Sequence, residues 1–125
     1  MNGNMLDTNV IIKYLAGDDS ARDIIDNASE ISVSVIVVGE LQYGAQKSSR
    51  TKSNLALFTN FISNFTIIPI DEDTAAIYGK VKEQLRAKGA NIPENDIWIA
   101  AAAISRNNKL LTYDTHFKFI DGLQT

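Results

Sequence analysis

The amino-acid sequence predicts an α/β fold, a layered domain built on a parallel sheet of four strands. Three observations predict it. Short apolar or β-branched runs recur at residues 4–7, 31–38, 66–70 and 109–112. Between them lie longer stretches in which apolar residues recur at helical spacing, and parallel neighbours need the crossovers that helices supply. The chain also has 125 residues, 45% of them hydrophobic, which suits one core of ordinary size. A single domain over residues 1–125 is therefore expected.

The elements follow in order. Residues 4–7 form a short apolar approach to Asp7, and Val10, Ile11, Ile12, Tyr14 and Leu15 continue with helical spacing. The run ISVSVIVV at 31–38 reads as a second strand that ends at Gly39 and turns into a helix at Glu40. Leu55, Leu57, Phe58, Phe61, Ile62 and Phe65 give another helical stripe, and Thr66 to Ile70 a third strand whose place in the sheet is restricted by Pro69. Asp71, Glu72, Asp73 and Thr74 open the next helix with acids where the dipole favours them, and Gly89 is its expected C-cap. A loop at 91–95 leads to a helix begun by Asp96, followed by eight apolar residues from Ile97 to Ile104. The run KLLT at 109–112 is the fourth strand.

Composition narrows the function. There is no cysteine, so disulfides and thiolate metal sites are excluded, as suits a reducing cytoplasm. The opening MNGNMLDTNV lacks the pattern of a secretory leader, and no apolar run approaches the roughly 20 residues that span a bilayer. A cytoplasmic protein without a membrane segment is expected. The formal net charge of −3 argues against bulk attraction to nucleic acid, so any such role must be local. Most basic residues fall into two groups, Lys47, Arg50 and Lys52, and Lys80, Lys82, Arg86 and Lys88; they read as solvated surface, with a phosphate-contacting rim as the alternative.

The chemistry points to four acids. Asp7 ends the first strand, Glu40 follows the second, Asp96 begins a late helix and Asp114 lies just past the fourth strand. In open parallel sheets, ligands gather outside the carboxyl ends of the strands, so residues this far apart in sequence can meet there. Two carboxylates about 5 Å apart repel by roughly 3 kcal/mol at an effective dielectric near 20. Four together therefore require protonation or a hard divalent cation, and oxygen-only ligation suits Mg²⁺ or Mn²⁺. Such a site hydrolyses phosphodiesters without a histidine or serine nucleophile. Each acid also has a plainer reading: Asp7 and Asp96 as helix N-caps, Asp114 as part of a turn. His116, the only histidine, reads as surface or as a supporting residue behind the ligands, and Trp98, Phe58, Phe61 and Phe65 as core. Tyr43 and Tyr113, adjacent to two of the acids, could flank a cleft.

Four segments carry a resemblance. MLDTNVIIKYL, ISVSVIVVGELQYGA, IPENDIWIAAAAI and KLLTYDTHFKFIDGL resemble, in order, the motifs of PIN-domain ribonucleases, in particular the VapC toxins of bacterial toxin-antitoxin pairs. The resemblance covers nearly the whole chain. It implies a three-layer α/β/α PIN-like domain with a central, mainly parallel sheet of four to five strands. Asp7, Glu40, Asp96 and Asp114 would be its acidic quartet. Asp7 and Asp96 would ligate Mg²⁺ (or Mn²⁺), with Glu40 and Asp114 reaching it directly or through water. Thr8, Asn9 and Thr112 would orient ligands from behind. The family varies between Asp and Asn near position 114, and Trp98 is bulkier than the Leu or Ile expected after the acid. The resemblance further implies a homodimer, a cognate antitoxin whose tail covers the cleft, and an RNA substrate cut in single-stranded or loop segments such as those of tRNA. Alternatives are a related nuclease on single-stranded or flap DNA, a non-catalytic PIN-like module, and a receiver-like phosphoacceptor; the last predicts adjacent acids after the first strand, where Thr8 and Asn9 stand instead.

Overall fold

The structure, a computed structural model, describes residues 3–125; the first two residues of the expected 1–125 domain lie outside the described residues. Four strands, β1 (Asn4–Leu6), β2 (Ile31–Ser34), β3 (Thr66–Ile68) and β4 (Lys109–Leu111), form one sheet in the order β3-β2-β1-β4. Every pairing is parallel. Six helices connect them: α1 (Thr8–Leu15), α2 (Asp19–Asp26), α3 (Val35–Gln46), α4 (Thr51–Ile62), α5 (Glu72–Lys88) and α6 (Glu94–Ser105), with a 3-10 turn at Thr115–Phe119. This is the α/β/α layering that the sequence predicts. Among the described residues, no helix is long and apolar enough to cross a membrane.

The order of the strands decides where a ligand can sit. The chain steps from β1 to β2 to β3 in one direction and then returns to lay β4 on the far side of β1. The crossovers on the two sides of β1 therefore diverge, leaving a crevice beyond the carboxyl ends of β1 and β4. Asp7 follows β1 and Asp114 follows β4, so both acids stand at that crevice.

The core explains the long apolar run. Ile97, Ile99 and Ala100 to Ala103 of α6 are all buried, as expected of a helix that is apolar all round. Its four consecutive alanines let α5, α3 and β4 approach closely, while Met5, Leu6, Val33 and Leu110 supply the sheet's share of the same core. Two glycines serve backbone needs. Gly89 ends α5 at φ 69°, and a Cβ on Gly3 would stand 2.8 Å from the Glu30 carbonyl oxygen.

Four sequence expectations need correction. The run at 31–38 is a strand only through Ser34. Its side-chain oxygen accepts from the Val37 N–H at 3.2 Å, capping a helix that begins at Val35, so Glu40 sits inside α3 rather than at its start. The β-branched run misleads because intrinsic preference there yields to a buried cap and a buried helical face of Val37, Leu41 and Ala45. Asp96 is likewise not a cap: Pro93 occupies that position and Asp96 lies in the first turn of α6. Helix α2, capped by Asp18, has no counterpart in the sequence reading, because just Ala21 and Ile25 of its eight residues are buried. The third strand stops at Ile68, one residue before Pro69.

Ser34 is fully buried, and Ser34→Ala leaves the Val37 N–H without a partner. We expect a loss of about 1–2 kcal/mol, read as a melting temperature lower by about 3–8 °C.

Candidate active site

Asp7 is the most constrained acid. It is 5% exposed, yet both its oxygens are engaged: one accepts from the Thr8 N–H at 2.8 Å and the other from the Thr112 hydroxyl at 2.7 Å. The first bond is the N-cap of α1, so the capping and active-site readings of this residue coexist. Burial pushes its pKa above the ordinary carboxylate value, the two hydrogen bonds pull it down, and the charges of Asp96 and Glu40 push it up again.

Thr112 is a small hub. Besides donating to Asp7, its oxygen accepts from the Asp114 N–H at 3.0 Å and from the Asn9 side-chain amide at 3.4 Å. Asn9 returns a bond by accepting from the Tyr113 N–H at 3.2 Å. The turns after β1 and β4 are thus clasped together. On the facing wall, Glu40 accepts from the Thr8 hydroxyl at 2.6 Å.

Asp7, Glu40, Asp96 and Asp114 line one cleft of about 390 Å³, together with Thr8, Asn9 and Lys13. The structure thus brings the four acids to one place. Within the cleft, Asp96, Asp114 and His116 form a tighter group, with ligating atoms all within 4.8 Å of one another. His116 bridges the two acids, its Nε2 lying 2.8 Å from Asp96 and its Nδ1 2.7 Å from Asp114. The contact to Asp96 has hydrogen-bond geometry, and Nδ1 meets Asp114 as a close polar contact. Burial raises the pKa of Asp96, His116 opposes the shift, and the charges of Glu40 and Asp114 add to it.

Of the two readings of His116, the structure bears out the supporting one: it bridges Asp96 and Asp114 beside the fully buried Phe117, and its backbone N–H donates to the Asp114 carboxylate. The sequence signal was present, since His116 lies two residues past Asp114 and next to an apolar anchor. Lys13 was missed altogether. It follows Ile12 on the exposed side of α1, its ammonium 4.8 Å from the Tyr113 ring centroid. Trp98 stacks on Tyr78 with centroids 3.8 Å apart, which accounts for that ring as packing.

Among the described residues, no lysine or arginine is ion-paired with any of the four acids. Asp7 and Glu40 have hydroxyl and amide partners only. A set of carboxylate oxygens without lysine or arginine partners, with His116 beside two of them, suits a divalent cation, so this cluster is one that can hold a metal.

Comparison with known proteins decides the family. The PIN domain matches residues 5–123. A ribonuclease VapC2 from Haemophilus influenzae is 40% identical over 124 residues, covering 97% of this chain and 94% of that protein. The chain is a PIN-domain protein of the VapC group. A tRNA(fMet)-specific endonuclease VapC from Shigella flexneri is 32% identical, with 97% of this chain and 94% of that one covered. Among solved structures, VapBC2 from Rickettsia felis, bound to a DNA fragment from its promoter, superposes with a TM-score of 0.90 at 33% identity, covering 97% of this chain and 95% of that one. VapBC from Salmonella typhimurium, also DNA-bound, gives 0.91 at 32% identity, with 99% and 96% covered.

The raised pKa of Asp7 gives this PIN domain a testable pH dependence. A carboxyl whose folded pKa exceeds its unfolded value costs stability when ionised, and that cost fades as the pH falls through the folded pKa. Thr112→Val removes the hydroxyl that favours the ionised form, so the penalty grows. In chelator, the variant should be less stable than the parent by about 1–3 kcal/mol where Asp7 is ionised, with the gap narrowing as the pH falls through its raised pKa in thermal melts. A gap independent of pH would show that the bond does not act on Asp7.

Proposed function

We propose that this VapC-group PIN domain is a Mg²⁺-dependent endoribonuclease toxin, a single cytoplasmic domain that hydrolyses phosphodiester bonds in single-stranded or loop RNA such as tRNA. The carrying observation is the convergence of Asp7, Glu40, Asp96 and Asp114 on one cleft with no fixed counter-cation from lysine or arginine. Membership of a group whose relatives are named ribonucleases supports the reaction class.

In this reading Asp7 and Asp96 ligate the cation, Mg²⁺ or Mn²⁺, and Glu40 and Asp114 contact it directly or through water. The cation supplies Lewis-acid polarisation of the phosphodiester and acidification of a water molecule. The chain does the positioning. Thr112 and the Thr8 N–H hold the two oxygens of Asp7 in fixed directions, and the Thr8 hydroxyl holds Glu40. Asn9 keeps the β4 turn, and with it Asp114, against the β1 turn. Such supports behind metal ligands set ligand orientation and basicity.

The partners follow from the same site. A cleft rich in anions is relieved by a cation from any source, so a basic side chain from an antitoxin would occupy it as a plug. The related solved structures are VapBC assemblies, which supports a cognate antitoxin here. A homodimer belongs to the same proposal.

Asp7→Asn and Asp96→Asn should each reduce RNA cleavage by more than about 100-fold while circular dichroism stays native, and chelator should match them. Wild-type rates from either variant would end the metal assignment. Saturating Mg²⁺ or Mn²⁺ at about 100 times its dissociation constant should stabilise the parent by about 2.7 kcal/mol in thermal melts, and Asp96→Asn much less. Cleavage of a matched DNA oligonucleotide as fast as RNA would favour the single-stranded or flap DNA nuclease instead.

A further inference from the structure

The two basic groups of the sequence behave differently in the fold. In the second, Lys82 pairs with Glu94, Arg86 with Glu83 and Lys88 with Asp121, and Lys80 alone of the four has no ion pair among the described residues. In the first, Lys47, Arg50 and Lys52 are exposed, and none takes part in an ion pair among the described residues. On a chain of net charge −3, this first group is the concentration of cationic charge left without anionic partners.

Its place is informative. Lys47 follows α3 and lines a groove of about 610 Å³ that runs along that helix back to Glu40. Glu40 also lines the acidic cleft, so the two spaces adjoin at that side chain. The groove is open beside Gly39 and Gly44, where a Cβ would meet nothing within 4 Å. Tyr43 is 66% exposed, and the Lys47 ammonium lies 5.2 Å from its ring centroid. Glu40 and Lys47 are separated by two helical turns, about 10 Å along the axis.

An exposed aromatic ring beside unpaired cations matches the pattern by which proteins hold single strands, with bases stacked on rings and phosphates tracked by positive charge. The acids of the cleft repel a polyanion, so affinity for one must come from a neighbouring surface. A protein-binding core would instead be depleted of lysine.

We propose that the groove along α3 is a subsite for single-stranded RNA flanking the scissile phosphate, with a base stacked on Tyr43 and phosphates held by Lys47 and then by Arg50 and Lys52. This rests on the endoribonuclease reading above. It deepens that reading by naming where substrate affinity arises.

The test uses the full chain, a short fluorescein-labelled single-stranded RNA of mixed sequence, and Ca²⁺ in place of the activating ion. Tyr43→Ala should weaken binding by about 5- to 150-fold, and Tyr43→Phe should bind like the parent. Lys47→Ala should flatten the dependence of log affinity on log salt by about 0.7 and, with the activating ion, raise KM while leaving kcat within about twofold. Unchanged binding and KM in both Tyr43→Ala and Lys47→Ala would overturn the subsite. So would a change confined to oligomeric state, by size exclusion with light scattering, or to antitoxin capture, since either gives the face to a protein partner. A parent chain that cleaves no RNA would defeat the endoribonuclease reading itself; a cleaving parent with unaffected variants defeats the subsite alone.

Discussion

The bond from the Thr112 hydroxyl to Asp7 is the constraint around which the site is organised. It joins residues 105 positions apart and holds a buried carboxylate ionisable in a place where burial opposes its charge. One oxygen of Asp7 caps α1 and the other takes the Thr112 proton, so a single side chain fixes both the entry of a helix and the spacing of two strand ends. Asn9 and the Asp114 N–H converge on the same hydroxyl, and the turns after β1 and β4 act as one rigid piece. A cluster able to hold a metal benefits from that rigidity, because ligands must be held within about 0.5 Å of their productive positions.

Fold and chemistry meet in the strand order. Reversal of direction at β1 creates a crevice wherever α/β sheets have such a switch, and this chain fills it with acids. The cost is visible. Asp7 and Asp96 both have pKa values raised by burial and by their neighbours, the signature of charges gathered for function rather than for stability. The alanine-rich α6 stands on the other side of the balance. Its buried face gives the domain the apolar packing that tolerates an electrostatically unfavourable edge.

Much of this was legible in the sequence because strand ends and acids coincide. The runs at 4–7, 66–70 and 109–112 each contain the strand found there, and the acids at positions 7 and 114 follow from those strands directly. The acid-rich opening and glycine stop of α5 were legible for the same local reason, since Asp71 caps the helix and Gly89 adopts the left-handed turn. What misled was the run after Ser34, where β-branched residues form a helix because a buried serine caps it and the core claims its face. The sequence left His116 between two readings for another reason. A lone histidine acquires meaning from what faces it, and Asp96 lies 20 positions away, on a different element.

The clasp between the two turns also bears on how the protein is made. Asp7 is made 105 residues before its partner Thr112, and the bridging His116 follows that partner. A chain still lacking residues 109–116 has neither β4 nor the pairing that completes the cluster. Assembly of the cutting edge thereby waits until residues 109–116 have been made, after the greater part of the core has become available to fold.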